Sequence, residues 1–217
     1  MVVRTLLGMV PLLTASCFGQ RLEIGAKLGV PLSPTFETSS FFTIGFGEGA
    51  SSATRRYTVG PTVGLLLAHG FGVEFDGLYK RLGFDNDLKS SGVVLTHTHV
   101  TANSWEFPIL GRFRFLDRSV SSPYVAAGVS FRHVSGVSVS SVTSFPGQVT
   151  SSTGTTSATL NNRSGRGAVV GVGVEVRVAF LHISPEIRYT RWGADRNLDP
   201  QLHSNQNQTE VLLGIVF

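Results

Sequence analysis

One cysteine, Cys17, occurs in 217 residues, which excludes an internal disulfide framework and any multi-thiolate metal centre. Lysine is nearly as scarce: Lys27, Lys80 and Lys89 are the only ones, and every other cation is arginine, the residue suited to confined ion pairs rather than to a mobile solvated surface. Only 15% of the residues are charged. The net charge of +4 comes without a basic run or a basic–aromatic stripe, so nucleic acid is not an expected partner. No apolar run is long enough to cross a bilayer as a helix. If the chain enters a membrane, it does so as strands.

The longest apolar run lies at the start. Arg4 supplies a positive n-region, Leu6 to Leu13 an apolar core, and Cys17 and Gly19 the small residues of a cleavage site, so 1–19 is expected to be an export signal and 20–217 the mature domain. The mature chain then carries no thiol. Lipidation at Cys17 is the weaker alternative, because Leu13 stands one position too far upstream for a lipobox.

Beyond residue 20 the pattern has period two, the side-chain period of a strand. Eight segments share it: Arg21–Val30, Tyr57–Leu67, Phe71–Tyr79, Trp105–Phe115, Val125–Phe131, Ala168–Val176, Leu181–Tyr189 and Glu210–Phe217. One row of each is free of charge, for example Val170, Val172, Val174 and Val176, or Val211, Leu213, Ile215 and Phe217. The opposite row holds Glu23, Lys27, Glu74, Asp76, Lys80, Glu106, Arg112, Arg114, Arg132, Glu175, Arg177, Glu186, Arg188 and Glu210, seven acids and seven bases, interleaved with glycines such as Gly171 and Gly173. A narrow eight-stranded barrel is just filled by its inward side chains, and long charged ones need small neighbours. Balanced charge is what such an interior demands, because an unpaired buried charge costs several kcal/mol. The charged row is therefore expected to be a lumen closed by ion pairs.

Connections alternate in length. Ala68–Gly70, Leu116–Ser122 and Val178–Phe180 are short, whereas Pro31–Arg56, Leu82–Ser104, His133–Arg166 and Gly193–Gln208 are long and polar. Short turns on the periplasmic side and long loops outside is the outer-membrane arrangement. Tyr57, Tyr79, Trp105, Phe131 and Tyr189 fall near the long-loop ends and Phe71, Phe113, Phe115 and Phe217 near the short-turn ends, as interfacial girdles would. The fold expected is an all-β, eight-stranded antiparallel up-and-down transmembrane barrel.

Val73–Phe84, Trp105–Phe115, Pro123–Arg132 and Leu181–Tyr189 resemble strands of the outer membrane protein β-barrel domain family, the OmpA- and OmpX-like small barrels. That resemblance implies an outer-membrane location and a structural or surface-interaction role, adhesin-like, rather than a cofactor-dependent activity. It also implies outer-membrane lipids and the barrel-assembly machinery as partners, Phe217 as part of the signal that machinery reads, and a surface ligand for the loops. No peptidoglycan-binding domain is expected after the last strand.

Three arrangements invite chemistry. His182, Ser184 and Glu186 resemble a deacylase triad, yet all fall in the charged row, where an ion-pair role is simpler than lipid hydrolysis. His97 and His99 lie on one face of an alternating segment, but a third metal ligand would have to come from elsewhere, and His69, His133 and His203 complete no spacing. The Ser- and Thr-rich stretch 135–159, with Val137–Ser140 alternating, reads as a flexible loop or a hairpin projecting beyond the membrane, where an edge can add a strand. No catalytic, cofactor or metal site is assigned. A small-solute pore and a periplasmic lipocalin-like barrel remain as alternatives; the second would turn the apolar row inward.

Overall fold

Among the described residues, alternation becomes strand almost throughout. The computed structural model describes residues 21–35, 39–43, 46–54, 56–90, 93–115, 120–144, 151–157, 163–193 and 205–217. The expected export signal with Cys17, and most of the Gly193–Gln208 connection, lie outside them. The strands are β1 (Arg21–Pro31), β2 (Ser39–Thr43), β3 (Phe46–Ser52), β4 (Thr58–Leu66), β5 (Phe71–Asp76), β6 (Leu78–Ser90), β7 (Val93–Arg114), β8 (Ser121–Ser144), β9 (Ser151–Ser157), β10 (Ser164–Val178), β11 (Leu181–Trp192) and β12 (Asn207–Val216).

Antiparallel pairing runs β1–β4, β4–β5, β5–β7, β7–β8, β8–β10, β10–β11 and β11–β12, and β12 returns to β1 with Gly25 opposite Val216. The wall is closed, so among the described residues no strand edge is left at membrane depth. β5 and β6 form one stave interrupted at Gly77. The cause is opposite: Pro61 accepts from the Gly77 amide at 3.0 Å but has no N–H to return, so the ladder breaks there. At the short Ala68–Gly70 turn the chain reverses through left-handed residues, His69 at φ 62° and Gly70 at φ 79°.

Two expected loops are largely strand. β6 continues to Ser90 and β7 begins at Val93, so most of Leu82–Ser104 is a paired hairpin; β8 continues to Ser144 and pairs with β9. Threonine, valine and histidine alternate there, and β-branched residues favour a pleated surface whether it is wet or greasy. Polarity marks where the membrane stops, not where the sheet stops. β2 and β3 add a hairpin within Pro31–Arg56, giving an extramembrane sheet in the order β2-β3-β6-β7-β8-β9.

The two rows face as the charge pattern requires. Ile24 is 53% exposed and Val172 56%, while Glu74 is 2% and Asp76 0%. This is the inverse of a soluble domain, and it overturns the lipocalin-like alternative, whose apolar row would line a cavity. Outward rings abut around the wall: Tyr79 and Trp105 lie 5.3 Å apart between centroids at the long-loop end, Phe71 and Phe113 4.9 Å apart at the short-turn end.

Candidate functional site

Because inward positions recur every second residue, each stave places its charges at set heights in the bore, and three tiers result. The middle tier is the densest. Arg188 on β11 donates to Glu186 at 2.7 Å, to Asp76 at 2.8 Å and to Glu74 at 3.2 Å. Lys27 on β1 reaches Glu74, Asp76 at 3.3 Å and Glu186 at 3.4 Å. Arg112 on β7 joins Glu74 at 3.0 Å to Glu175 at 3.4 Å and lies 4.0 Å above the Tyr124 ring. The Tyr124 hydroxyl donates to Glu186 at 3.0 Å, and the Thr62 hydroxyl to Asp76 at 2.6 Å. A methyl group in place of the Gly171 hydrogen would sit 2.6 Å from Glu186 Oε1, so glycine makes the room that the glutamate occupies.

Above this, Lys80 pairs with Glu106 at 2.8 Å and Glu210 at 3.0 Å, and Arg132 with Glu106 at 3.2 Å. The Arg132 guanidinium lies 3.8 Å over the Trp192 ring, and both donate to Gln208. Below, Arg114 holds Glu175 at 2.9 Å. Tyr124 and Trp192, both 2% exposed, were not singled out in the sequence; an aromatic among charges on an inward row is the signal that marks them.

Arg177 departs from the expected set. It is exposed at the short-turn end, where the bore opens, and its Nε donates to His182 Nε2 at 3.1 Å. It is no partner of Glu186. Among the described residues the buried acids are therefore Glu23, Glu74, Asp76, Glu106, Glu175, Glu186 and Glu210, against Lys27, Lys80, Arg112, Arg114, Arg132 and Arg188, an excess of one acid.

Glu23, Glu175 and His182 bring potential ligand atoms within 4.8 Å of one another. The donor set does not fit a metal. His182 Nε2 accepts from Arg177, so Nδ1 carries the ring proton and has no lone pair to offer; it faces Glu23 Oε1 at 3.7 Å. Glu175 is already bound by two guanidinium groups. The deacylase comparison finds no support in the same geometry, because His182 Nε2 is engaged by Arg177, and Glu186 by Arg188, Lys27 and Tyr124.

At the outer mouth a cleft of about 160 Å³ is lined by residues of the Pro31–Thr35 segment with Ser52, Thr54 and Arg56. It adjoins a space of about 10 Å³ bounded by Lys80, Thr190, Gln208 and Glu210, room for one water at most. Over the bore, Leu82, Phe84, Ala102 and Val134 form an apolar cluster inside the extension. His97 and His99 lie on the outer face of that extension, opposite Asp87 and Asp85.

Residues 14–193 match the outer membrane protein beta-barrel domain. Among solved structures the chain is similar to the outer membrane protein OprG from Pseudomonas aeruginosa, with 11% identity and TM-score 0.53, covering 92% of this chain and 96% of that one. It is also similar to Neisserial surface protein A, with 14% identity and TM-score 0.43, covering 92% and 97%. A third is Ail, the attachment invasion locus protein of Yersinia pestis, with 12% identity and TM-score 0.38, covering 91% and 97%. At such identities the OprG likeness concerns the fold alone. A comparison with curated proteins finds no match.

Proposed function

The chain belongs to the outer membrane protein beta-barrel domain family, a family of the Gram-negative outer membrane, and from that premise we propose that it is a plugged barrel whose working part is the extracellular sheet. One observation carries the reading: the ion pairs of Lys27, Arg112 and Arg188 link β1, β5, β7, β10 and β11 across the bore, while β6, β7 and β8 continue beyond them and are joined there by β2, β3 and β9. A solute path would have to open that tier.

The sheet offers the means of interaction. Among the described residues its pairing ends at β2 and β9. The β9 sequence Ser-Ser-Thr-Gly-Thr-Thr-Ser carries no charge and no proline, the usual devices that blunt an edge. Its open backbone groups suit an extended polypeptide that adds a strand. The protein acts by binding rather than by catalysis in this reading. Its other partners are outer-membrane lipids along the apolar row and, during assembly, the barrel-assembly machinery acting on Phe217, which is 61% exposed. Deleting Phe217 should lower surface levels in cells while leaving refolding into vesicles intact; unchanged surface levels would remove that assignment.

The reading is tested in two ways. Purified protein inserted in planar bilayers should give no discrete conductance steps, and steady unitary openings would replace the plug with a pore. Cells displaying the chain should be retained on a protein-coated surface several-fold better than cells displaying a Thr153→Pro, Thr155→Pro variant at equal surface level. Equal retention would sink the β9 edge as the contact.

A further inference from the structure

Two arginines stand just past the charge-free rows, on the outside of the wall. Arg166 has the parity of Val170 and Val172 on β10, and Arg191 that of Ile187 and Tyr189 on β11, so both point away from the bore, and both are exposed. Ala168 pairs with Arg191, and the Gly193 amide donates to the Arg166 carbonyl at 2.9 Å. The four outward positions of this cell are therefore two arginines on one diagonal, with a glycine and an alanine on the other. Diagonal neighbours on a sheet lie about 7–8 Å apart, within reach of long side chains. Nothing larger than a methyl group separates the two arginines at their base.

Their height is that of lipid headgroups. Phe131, a ring of the long-loop girdle, pairs with Arg166 from β8, and Tyr189 of the same girdle lies two residues below Arg191, about 7 Å along the strand. Below them the outward row is aliphatic and exposed, through Val170, Val172 and Ile187. Each buried arginine of the bore meets a carboxylate, but these two do not. Among the described residues the outward rows of β8, β10, β11 and β12 carry no acid, and Glu175, Glu186 and Glu210 on those strands are buried in the bore. The β12 neighbour of Arg191 is Asn207, whose Oδ1 already accepts from the Tyr189 hydroxyl at 2.6 Å. Like charges on adjoining strands repel, and an anion held between them turns repulsion into attraction.

We propose that Arg166 and Arg191 form a docking site for the phosphomonoester headgroup of an outer-leaflet glycolipid, whose acyl chains lie along Val170, Val172 and Ile187. The site rests on the outer-membrane reading above and narrows its lipid partner to one headgroup chemistry. A guanidinium group takes two phosphate oxygens in a fork, and a pair of them matches the nearly double charge of a phosphomonoester. A zwitterionic phosphodiester brings its own cation and so gains less from this pair. Free phosphate has no chains to cover the aliphatic row. The other side of the wall lacks the arrangement: Arg81 is the outward arginine of β6, and it stands opposite Asn103 rather than beside a second cation.

The test is native mass spectrometry of the full chain released from neutral maltoside micelles. The micelles contain a bisphosphorylated diglucosamine lipid, the same lipid after phosphatase treatment, or phosphatidylcholine. The phosphorylated lipid should be retained about tenfold better than the other two, and the Arg166→Gln, Arg191→Gln double variant should lose that preference. Arg81→Gln should keep it. Equimolar inorganic phosphate should not compete; if it displaces the lipid, the site binds free phosphate and the lipid assignment falls. Unchanged gel mobility of the unboiled variants keeps misfolding apart from ligand loss. Equal retention of the phosphorylated and dephosphorylated lipids, or a preference that persists in the double variant, would overturn the site and leave the barrel standing. A parent chain that stays folded and soluble without detergent would remove the outer-membrane reading, and the lipid site with it.

Discussion

Replacing Arg188 by alanine should destabilise the folded barrel by about 3–5 kcal/mol in equilibrium unfolding from lipid vesicles. Arg188 is 1% exposed and serves Glu186, Asp76 and Glu74 at once. Without it those three carboxylates keep only Lys27 and Arg112, in a bore that already holds one more acid than base. Glu186→Ala removes an acid instead. It leaves Arg188 with Asp76 and Glu74 and Lys27 with the same two, and it orphans the Tyr124 hydroxyl. Its cost should be smaller, about 1–3 kcal/mol, that of lost charge-assisted hydrogen bonds rather than of a buried uncompensated charge. The order is the test. If Glu186→Ala destabilises as much as Arg188→Ala, the acid excess has no energetic meaning and the pairs act independently of net charge.

Val172→Arg should cost about 2–4 kcal/mol in the same assay, and Val172→Leu close to nothing. Val172 is 56% exposed and is flanked by Ile187 on β11 and Val125 on β8, so an arginine there meets neither water nor a carboxylate. The residues on either side of it in the chain, Gly171 and Gly173, point into the bore beneath Glu186 and Tyr124. Adjacent positions thus make opposite demands. A Val172→Arg protein as stable as the parent would mean that this face is in water.

The two rows were legible because period two converts sequence position directly into side. Lys27, Glu74 and Arg188 could be assigned to one space without knowing a single partner, and their pairing follows once the wall closes. Depth was less legible. Arg177 has the parity of an inward residue, but it lies where the bore ends at the short turn, and alternation carries no information about height. Register was not legible at all. His97 and His99 were visible as a pair, yet the carboxylates behind them come from β6, and only the ladder places Asp87 opposite His97. The same gap made Leu82–Ser104 look like a loop. Its serines, threonines and asparagines are compatible with either state, and what decides is hydrogen bonding to β3 and β8, strands distant in sequence.

The return of β12 to β1 sets a clock as well as a shape. Gly25 meets Val216 across almost the full length of the chain, so this seam is the most non-local pairing in the wall, and forming it carries the largest loop-closure entropy. The reverse holds on the way out. With no edge strand at membrane depth to peel, unfolding must rupture a continuous ladder and expose buried carboxylates and guanidinium groups to hydrocarbon in the same event. Lifetime in the membrane is then governed by the height of that barrier. The barrel's endurance is a half-life, with hysteresis between loss and recovery of structure, rather than a reflection of how far downhill the native state lies.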